Sequence, residues 1–156
     1  MAKGNKGRFP DEKNPPHLGK SPRTSFGDPE REHEKPTWRV RRMAFDGPFG
    51  WHQATNEDWI EVRSKLSSFE TMTWFELGRA EKQHHYLGWP SLSKEARDDF
   101  DRLCRERLCH EDERETIFSL RLSGKQRVIG LRLSHVFEII WWDPEHAFCP
   151  SEKKHT

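Results

Sequence analysis

No apolar run in the chain approaches the roughly 20 residues that a membrane-spanning helix needs. The opening residues, MAKGNKGRF, also lack the apolar segment of a secretory signal. A cytoplasmic protein with no membrane partner is therefore expected. Cysteine is scarce: Cys104, Cys109 and Cys149 form an odd set without short spacing, so free thiols in a reducing compartment are expected. A charge of one sign is missing too, because 27 Lys and Arg face 26 Asp and Glu for a formal net charge of +1. No global field draws the protein to nucleic acid or lipid, and any phosphate contact needs a local patch. The glycines are scattered, with no strand, glycine-rich turn and helix in succession, which argues against nucleotide hydrolysis. His84, His85, Cys104, Cys109, His110, His146 and Cys149 are ligand types, but their spacings match no zinc pattern. Neither a metal nor a cofactor is expected. No cysteine stands in a recognisable reactive context.

What is present divides the chain in two. Residues 1–36 mix prolines with Gly, Lys and Glu and hold only Phe9, Leu18 and Phe26 as large apolar residues. Such a stretch cannot offset a backbone ordering cost of roughly 1 to 2 kcal/mol per residue, so a disordered arm is expected there. Its Lys3, Lys6 and Arg8 either touch phosphate or simply solubilise the chain. Apolar residues concentrate after Trp38, which predicts a single α+β domain over residues 37–156.

Within that domain, Trp38 and Val40 alternate with arginines and predict a strand over residues 38–45, broken by the turn-forming Asp46, Gly47, Pro48 and Gly50. Thr55, followed by Glu57 and Asp58, starts a helix whose Trp59, Val62, Leu66 and Phe69 should face the core. Thr71 or Thr73 caps a shorter helix carrying Trp74, Phe75 and Leu77. Residues 83–89 read as a short strand or a loop. Ser93 caps a helix over residues 94–108 with Ala96, Phe100 and Leu103 on one stripe.

Three runs rich in β-formers follow, at residues 116–122, 126–133 and 136–142, and predict an antiparallel meander. A two-residue turn at Gly124 and Lys125 would set Leu120 opposite Ile129 and Phe118 opposite Leu131. A shift by one residue would set Leu120 opposite Val128 but would move Ile129 and Leu131 to the outer face, so burial favours the first register. A three-residue loop then places Leu133 opposite Phe137, Ile129 opposite Trp141 and Arg132 opposite Glu138. The outer face so built carries Arg121, Val128 and Trp142 in one row, with Arg127 on the inner side near the strand end. That face either lies under a helix or presents charge and a stacking indole to a nucleotide.

Asp143, Glu145, His146, Lys153 and Lys154 follow the last strand. Beside a sheet that bears arginines, these are the residue types RNA cleavage needs: a base for the 2′-OH, a cation for the crowded phosphate and an acid for the leaving oxygen. The Asp143-Pro144 pair is equally a turn signal, and a lysine-rich end is commonly just solvated.

Phe118-Ser119-Leu120-Arg121, Arg127-Val128-Ile129, residues 137–142 and Lys153-Lys154 together resemble the closing sheet of RelE/ParE-type toxins. The resemblance spans about the last forty residues of the chain. It implies helices packed on a small antiparallel meander and a metal-independent, ribosome-dependent mRNA endonuclease site. In that scheme Arg121, Arg132, His146 and Lys154 are catalytic candidates, while Arg127, Trp142 and Lys153 contact nucleic acid. RNA or the ribosome and a cognate antitoxin are the implied partners. From Trp38 onward the chain also resembles an uncharacterised bacterial or phage-associated family, which implies no activity. The rival expectation is a non-enzymatic module that binds protein or nucleic acid.

Overall fold

In the computed structural model, residues 31–79 and 83–151 are described. The arm expected over residues 1–36 therefore lies mostly outside them, as do Lys153 and Lys154. The described residues form a mixed α+β unit in the order β1 (Thr37–Arg39), α1 (Asn56–Phe69), α2 (Trp74–Arg79), β2 (His84–Tyr86), α3 (Lys94–Arg105), β3 (Ile117–Arg121), β4 (Arg127–Leu133) and β5 (Val136–Asp143). Short 3-10 turns at Trp51–Gln53, Trp89–Ser91 and Glu111–Thr116 join them. No described helix is long and apolar enough to cross a membrane.

The helices begin where local chemistry satisfies their free amides. Thr55 and Asp58 form a reciprocal capping box at α1, Oγ1 of Thr73 accepts from the Glu76 amide at α2, and Oγ of Ser93 accepts from the Ala96 amide at α3. Val62 and Phe69 are buried on α1 as the helical spacing predicts, whereas Trp59 stays 37% exposed and stacks on Trp51 with ring centroids 4.7 Å apart.

One five-stranded sheet runs β1-β5-β4-β3-β2, with β1 parallel to β5 and the other pairs antiparallel. Both of its faces are covered. Ala96, Phe100 and Leu103 of α3 pack with Ile117, Ile129, Ile140, Trp141 and Phe148 on one side. Val62 and Phe69 of α1 with Trp74 and Leu77 of α2 pack with Leu120, Val128, Phe137 and Trp142 on the other. Of the two expectations for the outer face, the one that puts it under a helix holds, and the burial argument that chose the register fails with both faces covered.

Leu120 stands opposite Val128, Phe118 opposite Gly130 and Ile117 opposite Leu131, which is the alternative shifted by one residue. The turn closes where expected, because the Gln126 amide donates to the Ser123 carbonyl at 2.9 Å. The Leu122 amide also donates to the Gln126 carbonyl at 3.0 Å, so Leu122 rather than Ser123 heads the ladder. With a helix layer on each side, Ile129 and Leu131 lose nothing by facing α3 while Leu120 and Val128 face α1 and α2.

Between β4 and β5 the pairs Val128 with Trp142 and Ile129 with Trp141 stand as expected. A bulge then moves the remaining pairs by one, to Gly130 with Ile139, Arg132 with Phe137 and Leu133 with Val136. It turns Ile140 and Trp141 successively to the α3 side. The expected Arg132–Glu138 pair does not form; Glu138 lies opposite Leu131 and faces Arg42. Gly130 makes the bulge possible, since a β-carbon there would run into the Glu138 carbonyl oxygen.

The first strand is shorter than expected. Beyond Arg39 the chain leaves the ladder, Val40 is 62% exposed, and the Ala44 amide and the Trp51 indole both donate to the Ile140 carbonyl at the bulge.

Candidate functional site

The corrected register gathers one set of polar residues at the end of the sheet where β2 begins and β5 finishes. Arg121, Arg127 and Asp143 lie in one row across β3, β4 and β5. They share the α3 side with Ser119 and Ile129 of an inner row, in which His85 of β2 stands opposite Ser119. Arg127, expected on the opposite side from Arg121, is thus its direct cross-strand partner. Two like charges so placed repel each other, a destabilising arrangement unless something offsets it.

Asp143 builds the other wall. Its Oδ1 accepts from the Ala147 amide at 2.9 Å and its Oδ2 from the Phe148 amide at 3.0 Å, which closes the turn after β5. His146 occupies that turn at φ 57, in the left-handed region. Phe148 is fully buried against Trp141 and anchors the turn from below. The sequence therefore fixes His146 through its neighbours, with the carboxylate holding the backbone from one side and the aromatic ring from the other.

Electrostatics link the set. Desolvation lowers His146 from the usual histidine value, and the charges of Arg127, His85 and Arg121 lower it further against the pull of Asp143. His85 is lowered by desolvation and by Arg127. Arg127 is lowered by desolvation and by Arg121, with Asp143 acting in the other direction. Burial raises Asp143 above the ordinary carboxylate range, although the two amides, His146 and Arg127 pull it back. Both histidines thus favour the neutral form.

His84 belongs to the opposite face, where its ring meets Phe69 at 4.9 Å. Its Nδ1 accepts from the Arg121 amide at 3.1 Å, and burial drops its pKa to about 4. It ties β2 to β3 and positions the strand that carries Arg121.

Two residues expected at the site are elsewhere. Trp142 is 1% exposed, stacked on Trp51 within the α1 and α2 core, so it offers no surface to a base. Arg132 points to that same face, where its guanidinium lies 4.1 Å from the Trp74 ring centroid and 5.3 Å from that of Phe118, and pairs with Glu32. It holds structure rather than phosphate. Glu32 and Glu34, in the stretch assigned to the arm, accept the Phe75 and Trp74 amides with their carbonyls and so pin residues 31–36 to α2.

Other clusters supply less chemistry. A cleft of about 440 Å³ beside Cys104, Cys109 and His110 holds two thiols, but burial pushes both up, Cys109 to about 12, which keeps them protonated. Among the described residues no group of three or more His, Cys, Asp or Glu is placed to share a metal ion. His85 is the site residue that sequence reasoning missed; its signal was the His84-His85 doublet in a run that reads as strand, since alternation sends one of two successive residues to each face.

Comparison with family models, curated proteins and solved structures yields no match to this chain.

Proposed function

We propose that the chain is a metal-independent RNA endonuclease domain of the RelE-like type, acting at the sheet end marked by Arg121, Arg127, His85 and His146. The observation that supports this is the convergence of two cations and two neutral-leaning histidines on one face. Helices followed by the β3–β5 meander accord with the resemblance, while α3 on the second face goes beyond what the resemblance implies.

Cleavage in RNA forms a bond from the 2′ oxygen to phosphorus and breaks the bond to the 5′ oxygen, so one proton leaves the nucleophile and one reaches the leaving group. His146, neutral on its fixed turn, takes the first proton, and His85, protonated as the phosphate settles on the two arginines, delivers the second. Arg121 and Arg127 stabilise the extra negative charge on phosphorus. Asp143 orients His146 through the turn instead of touching substrate. Lys153 and Lys154 follow that turn in sequence and remain candidates for the same charge stabilisation.

An RNA-cleavage assay with and without ribosomes tests the proposal. His146→Ala, His85→Ala and Arg121→Ala should each lower the rate by about 10²-fold or more, the usual range for a lost proton-transfer or charge-stabilising group. Wild-type turnover in all of them would overturn it. Expression should also arrest growth in a manner that His146→Ala relieves. Salt-sensitive RNA binding without cleavage would instead mark a nucleic-acid-binding module.

A further inference from the structure

Two arginines opposed across a strand pair need an explanation, because neither has a carboxylate within ion-pair distance among the described residues. Arg127 is nearly buried, and its Nη1 donates to the Gly124 and Gln126 carbonyls at 2.8 and 3.0 Å, which aims the guanidinium without neutralising it. The nearest acid in the row, Asp143, has each oxygen committed to a backbone amide of its own turn. Among the described residues the like charges are thus held together by the turn geometry, with Asp143 acting on Arg127 only at a distance and no carboxylate in direct contact.

We infer that Arg121 and Arg127 form the seat for one phosphate group and that the His85 and His146 pair takes up one proton as the seat fills. The inference deepens the proposed function by naming the ligand group and its pH control, and it rests on that site but not on turnover.

The charges that act on His146 are those of Arg127, Asp143, His85 and Arg121; His85 feels Arg127 and is coupled to His146 on its own face and to His84 across the sheet. Arg127 faces both and drives protons off them. An anion on the guanidiniums cancels that push and adds a negative neighbour, so each histidine regains affinity for a proton. By linkage, the anion must then bind more tightly as pH falls through the histidine range. His84, buried and held by the Arg121 amide, stays neutral throughout that range.

Calorimetry on the full chain tests this with two probes whose own charge is constant near neutrality. One is a thymidine dinucleotide, a phosphodiester without the 2′-OH and so uncleavable. The other is sulfate, which stands for a free oxyanion. The dinucleotide should bind about tenfold more tightly near pH 6 than near pH 8, the change expected from one pKa unit of coupling. The heat should depend on the ionisation enthalpy of the buffer with the sign of proton uptake. Arg127→Gln and the more exposed Arg121→Gln should each abolish binding, whereas His146→Gln should keep weaker binding and flatten its pH dependence. Binding of both probes supports a general oxyanion seat, and binding of the dinucleotide alone supports one shaped for the nucleic-acid backbone. Equal affinity at the two pH values, or unaltered binding in both arginine variants, overturns the inference. Proton-linked binding without RNA cleavage leaves it standing and removes the nuclease proposal; cleavage without proton-linked binding does the reverse.

Discussion

Arg127 and Arg132 belong to the same strand and meet opposite fates. Arg132 is enclosed by the rings of Trp74, Phe118 and Tyr86, donates from Nε to the Ser134 carbonyl and pairs with Glu32, so its charge is matched on every side. Arg127 is nearly as buried, yet it faces a second arginine and a carboxylate already engaged elsewhere. Burial alone therefore does not distinguish a structural cation from a functional one. The distinction lies in whether the protein supplies the counter-charge or leaves that to a ligand.

The largest expected effect breaks the comparison at its hinge. Gly130 lies between the two arginines at the bulge, and Gly130→Ala should cost about 3 kcal/mol by overpacking against the Glu138 carbonyl, measured by chemical denaturation. Because the neighbour is backbone, little relief is available.

Next comes Arg132 itself. Arg132→Met should cost about 2 to 3 kcal/mol, since it leaves the partly covered Glu32 without its partner and removes the cation from three aromatic faces. Arg132→Lys should recover part of this and no more, because an ammonium does not reproduce the flat stacking contact. Equal stability in wild type and Arg132→Met would remove the contrast with Arg127.

A smaller effect concerns pH. His84 titrates near 6.5 when unfolded and at about 4 in the fold, so between those values the unfolded chain binds more protons. Stability is then fully present above about 6.5 and falls as pH drops toward 4, by on the order of 2 kcal/mol after allowance for partial solvent contact. Urea midpoints measured across that window should show the loss. His84→Phe should flatten it, since the Arg121 amide keeps its second acceptor, the Gln83 carbonyl at 3.2 Å.

The smallest effect has the opposite sign. Arg121→Gln should leave thermal stability unchanged or raise it by up to about 1 kcal/mol, because it relieves a directly opposed like-charge pair. A loss as large as that of Arg132→Met would mean that Arg121 is structural after all.

Part of the candidate site was named from residues alone. Arg121, Arg127 and His146 were named from their positions on strands and after the last strand; the structure sets the two arginines opposite each other and His146 in the turn that follows Asp143. Trp142 and Arg132 entered the expected site through the open-face alternative, and the structure takes the other one. Once α1 and α2 cover that face, an apolar indole belongs under them, and Arg132 survives there only through aromatic rings and Glu32.

What the amino-acid order settled by itself is local: caps at Thr55, Thr73 and Ser93, a turn at Gly124, and three consecutive strands, each fixed by interactions within a few residues. Register and facing were left to the tertiary structure. Alternation names two sets of side chains on a strand but says which is inner only when one face meets water, and here both meet helices. The placement of α3 against one face and of α1 and α2 against the other, with the bulge at Gly130, decided which arginines became neighbours.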